Sequence, residues 1–267
     1  MRDDALDFTE EVASTARAPR HAQSERQPAA LSDRVEELRR RANGRLDDQS
    51  RVDLGQFMTP WPTALLMASM FEPREEHVRL LDAGAGVGSL TAAFVDEACR
   101  RDRRPKSISV SCFEVDPVMR SHLEVVLELC RERCAAVGIP FESEVLAQDF
   151  IEAGAERISP ALYGERGAKR FTAAIQNPPY RKINSNSRER ELLRNVGIET
   201  SNLYSAFVSL ALKLLEPGGQ LVAITPRSFC SGPYFRPFRR ILLREGSLRR
   251  IHVFDTRDRA FGEDDVL

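Results

Sequence analysis

"HVRLLDAGAGVGSLTAAFVDEACR", residues 77–100, decides the fold of this chain, because it has the pattern of a strand, a glycine turn and a helix in direct succession. The residues before the turn have the pattern of a strand, and the residues after it have the pattern of a helix. Gly84, Gly86 and Gly88 supply the backbone freedom that a tight turn at the carboxyl edge of a sheet requires. The stretch therefore predicts an α/β protein with a parallel sheet.

The same alternation continues along the chain. A helix entered through Pro62 is predicted ahead of the first strand, over residues 61–71. The further strands are predicted at 107–116, 141–150, 171–176, 220–226 and 247–255, and the further helices at 117–138, 202–219 and 234–246. Strands that alternate with helices indicate a doubly wound, mostly parallel, Rossmann-like sheet.

The first residues have a different character. Residues 1–46 predict a polar N-terminal arm, since residues 1–30 carry few large apolar side chains to bury. From Ser32 the pattern predicts one charged helix, with Ser32 as its N-cap, that ends near Gly44. The apolar spacing of this segment extends to Leu46, and its charges are most simply a solvated face.

Composition excludes several classes of protein. Hydrophobic residues make up 42% and charged residues 30% of the 267 residues, as in soluble globular proteins. No apolar run is long enough for a membrane span, and five cysteines without a CxxC pair favour a reduced, cytoplasmic setting. Four scattered histidines predict no metal site. The net charge of −1 does not by itself indicate a nucleic-acid-binding protein.

The glycine turn suits two kinds of ligand, a dinucleotide or S-adenosylmethionine. Glu114, at the end of the second strand, would hold ribose hydroxyls in either case. Asp82 favours S-adenosylmethionine, because its carboxylate suits the positive amino group of a methionine moiety. In "AQDF", Asp149 could accept from an adenine amino group and Phe150 could pack on the ring, although either residue alone is more often a turn or core residue.

"NPPY", residues 177–180, ends the fourth strand, residues 171–176, which is mostly apolar and so suits burial on both faces. It would lie beside the expected methyl group. The exocyclic amino group of a planar base is a poor nucleophile, and two acceptors aimed at its hydrogens would draw it toward tetrahedral geometry. The Asn177 side-chain oxygen and the Pro178 carbonyl can be those acceptors, while the prolines, including Pro179, stiffen the loop. Tyr180 offers a flat face for a planar substrate. Positioning and electrostatics would then carry the catalysis.

Seven motifs in this order give the chain a family resemblance. They are "GQFMTP" (55–60), "DAGAGVG" (82–88), "FEVD" (113–116), "AQDF" (147–150), "NPPYRKI" (177–183), "SNLYSAF" (201–207) and "ITPRSFCSGPYF" (224–235). Over about residues 50–267 the chain resembles the adenine-N6 DNA methyltransferases of restriction–modification systems, in the gamma arrangement of motifs. The resemblance implies the Rossmann-like sheet of S-adenosylmethionine-dependent methyltransferases, with residues 47–267 as the catalytic domain.

The resemblance also implies a set of site residues and partners. The cofactor contacts are Phe57, Thr59, Pro60, Asp82, Gly84, Gly86, Gly88, Glu114, Asp149 and Phe150. Asn177, Pro178, Pro179 and Tyr180 would hold an adenine that is flipped out of the duplex, because its amino group cannot be reached inside the helix. Phe235, or its neighbour Tyr234, would stack on the other side of that base. The implied partners are DNA and a restriction endonuclease.

The sequence departs from that family at its end. Family members continue with the last strands and a target-recognition domain, whereas this sequence stops at "FGEDDVL", residues 261–267. The expectation is a truncated chain that holds cofactor weakly and methylates DNA poorly alone. Two alternatives stay open: an NPPY methyltransferase that acts on protein glutamine or RNA, and a non-catalytic module that binds cofactor or a partner. A nicotinamide dehydrogenase is rejected, because its site requires neither Asp82 nor "NPPY".

Overall fold

The computed structural model describes residues 30–44, 58–159 and 170–261. A sheet of five parallel strands runs through the described part in the order β3-β2-β1-β4-β5. Its strands are β1 (His77–Ala83), β2 (Ser107–Phe113), β3 (Phe141–Leu146), β4 (Phe171–Gln176) and β5 (Leu215–Ala223). The chain order reverses direction between β1 and β4, which is the doubly wound arrangement predicted from the alternation of strands and helices.

Helices cover both faces of the sheet. They are α1 (Leu31–Asn43), α2 (Trp61–Ser69), α3 (Ser89–Arg100), α4 (Pro117–Ala135), α5 (Phe150–Ile158), α6 (Arg188–Asn195), α7 (Leu203–Leu214), α8 (Arg236–Glu245) and α9 (Arg257–Phe261), with a 3₁₀ turn at Arg227–Cys230. Leu80 and Ile175 pack with α2, α3 and α4 on one face, and Leu81 and Phe113 pack with α5 and α7 on the other. All six residues of β4 are buried, as a strand covered on both faces requires.

The N-terminal helix begins differently from the sequence prediction. Helix α1 starts at Leu31, its N-cap position is Ala30, and no side chain caps it, so the prediction of Ser32 as N-cap is wrong. The predicted end near Gly44 is confirmed, whereas Leu46 lies outside the described residues. The charged face is also not entirely solvated, because Arg39 is buried and forms an ion pair with Glu36.

The region around the third strand is a second difference. The sequence assigned residues 141–150 to one strand, but β3 ends at Leu146 and Phe150 begins helix α5. Asp149 caps that helix, since its Oδ1 accepts from the backbone N–H groups of Ile151 and Glu152 at 2.8 and 3.0 Å. Asp is one of the best N-cap residues, so the local chemistry ends the strand before its apolar pattern does.

Helix α7 and strand β5 are displaced from their predicted bounds. The sequence predicts a helix to Gly219, but α7 ends at Leu214 and β5 begins at Leu215. Gly218 has a φ of +86°, and the pairing of β4 with β5 shifts register between Phe171 and Ala173. The glycines therefore form an irregularity inside the strand rather than the end of a helix.

The predicted sixth strand, residues 247–255, is wrong. Residues 247–254 have no regular structure, and Leu248, Ile251 and Val253 are 67%, 58% and 59% exposed. Apolar alternation marks a strand, but a strand forms only when its backbone groups pair with a neighbour. Among the described residues none pairs with this segment, and β5 has β4 as its one strand neighbour there.

The turn between β1 and α3 yields a stability prediction. Gly88 has a φ of +87°, and a Cβ at this position would lie 2.7 Å from Cδ1 of the buried Leu123. Gly88→Ala should lower the free energy of unfolding in urea by about 2–4 kcal/mol, from the left-handed backbone and the overpacking together. Gly138, with a φ of +75° and open space around its Cα, is the control, and Gly138→Ala should cost about 1 kcal/mol. Equal losses would show that the contact with Leu123 does not matter.

Candidate functional site

The candidate site lies where β1, β2 and β4 end. Asp82 of β1 pairs in register with Ile175 of β4 and with Cys112 of β2. Because all three strands are parallel, the residues that follow them, Glu114 after β2 and 177–180 after β4, lie at the same edge of the sheet. This edge is where α/β sheets bind ligands. The structure therefore brings Asp82, Glu114 and the "NPPY" segment together.

Asp82 is fully buried and only half satisfied. Its Oδ2 accepts a hydrogen bond of 2.6 Å from the hydroxyl of Thr91 on α3, but within the described part of the chain Oδ1 has no partner. Burial raises the pKa of Asp82 from 3.8 to about 7, and the nearby carboxyl of Glu114 adds to this. A buried polar atom without a partner is rare and costs free energy, so Oδ1 marks a place for a donor.

Glu114 ties the glycine turn to the end of β2. Its two carboxylate oxygens accept from the backbone N–H groups of Gly86 and Asp116, both at 2.8 Å. The N–H groups of Gly84 and Ala85 bond the carbonyl of Phe113 just before it. Burial raises the pKa of Glu114, while the N–H groups of Asp116 and Gly86 oppose the shift. The carboxylate is thus fixed in orientation, with lone pairs left over for a ligand.

The glycines of the turn adopt the conformations that the sequence pattern required. Gly84, Gly86 and Gly88 have φ values of +75°, +55° and +87°, which only glycine adopts readily. A Cβ at Gly86 would meet no atom within 4 Å, so open space lies against the backbone there. The turn therefore allows a ligand to approach the main chain closely.

Asp149 and Phe150, which cap and begin helix α5 after β3, hold structural positions. Asp149 is exposed, with its Oδ1 engaged in capping α5. Phe150 is 2% exposed, and its ring centroid lies 5.1 Å from those of Phe113 and Phe207. The cap and the core contacts are the structural roles that each residue alone suggested; their predicted contacts with an adenine ring stay predictions.

The Asn177 carboxamide is held at both ends. Its Nδ2 donates to the Thr59 hydroxyl at 3.1 Å, and its Oδ1 accepts from the Tyr180 hydroxyl at 2.7 Å. That hydroxyl also lies 3.3 Å from the carbonyl oxygen of Ile224, which follows β5. Pro178, the next residue, is buried, and Pro179 is half-buried. The "NPPY" segment is thus joined by hydrogen bonds to segments far away in the sequence.

Thr59 and Pro60 belong to the segment that enters α2. Thr59 is 4% exposed, and Pro60 is the N-cap residue of that helix. The third predicted contact of this motif, Phe57, lies outside the described residues. The resemblance implied that Thr59 contacts the cofactor, whereas its described hydroxyl contact is with Asn177.

An aromatic cluster lies next to Tyr180. The ring of Tyr204, on α7, has its centroid 6.3 Å from that of Tyr180 and 5.7 Å from that of Phe235. Phe235 is half-buried, and Tyr234, which is 55% exposed, packs edge-on against it with its hydroxyl near Asn202. Phe235 and Tyr180 therefore share one cluster with Tyr204 between them, and which aromatic would face a base stays a prediction.

Sequence reasoning missed two residues of this site. Thr91, the partner of Asp82, lies nine positions later on α3 and carries no local signal of that contact. Tyr204 belongs to the motif "SNLYSAF", so its site position could have been expected, but its contact with Phe235 depends on α8. Burial raises the pKa of the Tyr204 hydroxyl, which lies 3.4 Å from Ser228.

The described part of the chain contains neither a candidate metal centre nor a candidate membrane-spanning helix. Across residues 30–44, 58–159 and 170–261, no three His, Cys, Asp or Glu side chains are arranged to hold a metal ion. Over the same ranges, each helix is too short or too polar to cross a bilayer.

Comparison with known proteins gives one family match and several relatives. Residues 139–261 match the family model described as Eco57I restriction-modification methylase. The type II methyltransferase M.PstI from Providencia stuartii is 49% identical over 240 residues, which cover 90% of this chain and 46% of that protein. The type II methyltransferase M.BsuBI from Bacillus subtilis is 42% identical over 221 residues, which cover 82% of this chain and 43% of that protein. The chain thus spans less than half the length of these relatives.

Solved structures give the fold. A crystal structure from Listeria monocytogenes, described as a class I S-adenosylmethionine-dependent methyltransferase, superposes with a TM-score of 0.57 at 15% identity. It covers 79% of this chain and 58% of that one. The Rossmann-like sheet of S-adenosylmethionine-dependent methyltransferases is therefore confirmed, as is the resemblance to restriction–modification methylases. Residues 139–261 thus match the Eco57I restriction-modification methylase family model, and most of the chain is similar in sequence to the type II methyltransferases M.PstI and M.BsuBI.

Proposed function

We propose that this chain is the catalytic part of a DNA methyltransferase of a restriction–modification system, which uses S-adenosylmethionine to methylate the N6 amino group of adenine. The observation that carries the proposal is the Asn177 carboxamide, held by Thr59 and Tyr180 at the same sheet edge as Asp82 and Glu114. The names of M.PstI and M.BsuBI, both type II methyltransferases, support the reaction class.

The residues at the edge fit the proposed cofactor. The Oδ1 of Asp82, which has no partner among the described residues, would accept from the amino group of the cofactor, and the fixed carboxylate of Glu114 would accept from its ribose hydroxyls. Open space beside Gly86 would admit it against the backbone of the turn. When bound, S-adenosylmethionine supplies a methyl group on a sulfonium centre.

The "NPPY" segment would act on the target amino group. A carboxamide oxygen has two lone pairs, so the Asn177 Oδ1, which accepts from Tyr180, would also accept from the target amino group. With the Pro178 carbonyl as a second acceptor, it would stabilise the charge that develops on the nitrogen. Tyr180 would stack on the base, and Pro179 would keep the loop rigid. These groups position and polarise, so no side chain has to serve as a tuned general base.

The substrate and partners follow from this reaction. An adenine in duplex DNA would have to be flipped out of the stack to reach Asn177. We propose a recognition domain, of the kind that the sequence resemblance implies, as the part that selects the DNA site, and a restriction endonuclease as the companion activity. A reaction on bacterial DNA would place the protein in the cytoplasm.

The proposal is tested by measuring methyl transfer from labelled S-adenosylmethionine to unmethylated genomic DNA, RNA and a glutamine-containing peptide. We expect label on DNA, recovered as N6-methyladenine. Asn177→Ala should lower the rate by about 100- to 1,000-fold, as the loss of one transition-state hydrogen bond does elsewhere. Asn186 lies nine residues after Asn177 and is exposed, so it serves as the control. Asn186→Ala should leave the rate unchanged. Label on the peptide or RNA alone, or a full rate with Asn177→Ala, would disprove the proposal.

The raised pKa of Asp82 predicts how cofactor binding depends on pH. Only the ionised carboxylate pairs with an ammonium group, so below pH 7 binding must expel the proton that the buried carboxyl holds. The dissociation constant of S-adenosylhomocysteine should therefore rise by up to tenfold per pH unit below pH 7 and stay level from pH 7 to 8. Calorimetry in two buffers should detect the released proton. Asp82→Asn should make binding weak and independent of pH, whereas Asp102→Asn, at an exposed site, should keep the original profile.

A further inference from the structure

Thr59 holds a position that a cofactor contact alone does not explain. Its side chain is 4% exposed, and its hydroxyl accepts from Nδ2 of Asn177 at 3.1 Å, across 118 positions of sequence. A buried hydroxyl with such a bond forms a fixed point for the amide that it contacts. The bond joins the segment ahead of α2 to the end of β4, two parts of the chain that share no strand pairing.

The carboxamide needs such a fixed point. Rotation about the bond to a planar amide has broad, roughly two-fold minima, so an unanchored Asn can exchange its oxygen and nitrogen positions. In Asn177 the Thr59 hydroxyl binds the nitrogen end, and the Tyr180 hydroxyl binds the oxygen end at 2.7 Å. Two bonds at opposite ends oppose rotation of the carboxamide, and in this structure its nitrogen lies toward Thr59 and its oxygen toward Tyr180.

We propose that Thr59 is a positioning residue that holds the Asn177 carboxamide with its oxygen available to an amino group, an inference that rests on the proposed function. If the Asn177 carboxamide were rotated by half a turn, its N–H groups would face the N–H groups of the target amino group. The two groups of donors would then repel each other. The held orientation selects substrates that present hydrogen-bond donors, such as the exocyclic amino group of a base, against bases that present a carbonyl oxygen at the same place.

The backbone around Thr59 is rigid enough for this role. The next residue, Pro60, bonds the N–H of Ala64 through its carbonyl at 2.9 Å, which fixes the start of α2. The N–H of Trp61 donates to the carboxylate of Glu36 on α1 at 3.3 Å. Glu36 is itself held by Arg39, and this pairing with the arginine and the Trp61 N–H lowers its pKa although burial opposes the shift. Thr59 therefore directly precedes the start of α2, which a hydrogen bond to α1 holds in place.

The chain offers a matched control at Thr63. This threonine is 5% exposed on α2, and its hydroxyl donates to the carbonyl of Ala260 at 2.6 Å. Thr63→Val removes a buried hydroxyl of the same kind from the same segment without touching Asn177. Any effect that comes only from loosening α2 should therefore appear in both Thr59→Val and Thr63→Val.

The experiment compares Thr59→Val, Thr59→Ser and Thr63→Val in the full chain by three measurements. The first is hydrogen exchange of the Asn177 side-chain amide, followed by nuclear magnetic resonance on asparagine-labelled protein and assigned by its loss in Asn177→Ala. The second is the kcat and KM of methyl transfer to DNA, and the third is the dissociation constant of S-adenosylhomocysteine. The first measurement needs no catalysis, so it tests the position of the amide even if the proposed function fails.

We expect Thr59→Val to speed exchange of the Asn177 amide and to lower kcat about three- to tenfold, with KM and the dissociation constant unchanged. Thr59→Ser should restore both values, and Thr63→Val should change neither. An unchanged amide exchange rate in Thr59→Val, or an equal increase in Thr63→Val, would overturn the positioning role. Weaker S-adenosylhomocysteine binding with unchanged exchange would assign Thr59 to the cofactor instead. A chain that transfers no methyl group to DNA would contradict the proposed function, and amide exchange alone would then decide the role of Thr59.

Discussion

The parallel pairing of β1 with β4 is the constraint on which the site depends. It sets Asp82 beside Ile175, two residues before Asn177, so the buried carboxylate and the carboxamide come to the same edge. The side-chain period of a strand is two, and a slip of one residue would send Asp82 to the opposite face of the sheet. The side chains packed on both faces of β1 and β4 oppose that slip, because it would exchange the residues of two closely packed faces. Packing far from the site thus determines its chemistry.

Local patterns in the sequence predicted most of the sheet and the segments that meet at its edge. The glycine turn, the buried strand before "NPPY" and the alternation of elements are each complete within a short stretch, and the structure has them where they were expected. The errors came where the outcome depends on partners elsewhere. Residues 247–255 have a strand pattern but no neighbour among the described residues, and Asp149 ended β3 early by capping a helix that the pattern did not show. Neither the bond from Asn177 to Thr59 nor that from Thr91 to Asp82 can be deduced from spacing.

The site also concentrates unfavourable terms that the remainder of the fold must offset. Asp82 is a buried carboxyl with one oxygen unpartnered in the described structure, and Glu114 is a second buried acid close enough to raise its pKa. The three glycines at positive φ, in the turn between β1 and α3, lose more backbone entropy on folding than other residues would. Stable folds avoid such groupings unless a ligand uses them, so their coincidence at one edge supports a binding role on physical grounds alone.

The exposed residues after α8 bear on how this chain behaves in solution. Strand β5 is the last strand of the sheet in the described structure, and Leu248, Ile251 and Val253, which follow α8 in the chain, are exposed apolar residues. An edge strand with free amide and carbonyl groups next to apolar side chains is a template on which another polypeptide can add a strand. High protein concentration would therefore favour self-association through this edge, and Ile251→Lys is the simplest substitution to oppose it.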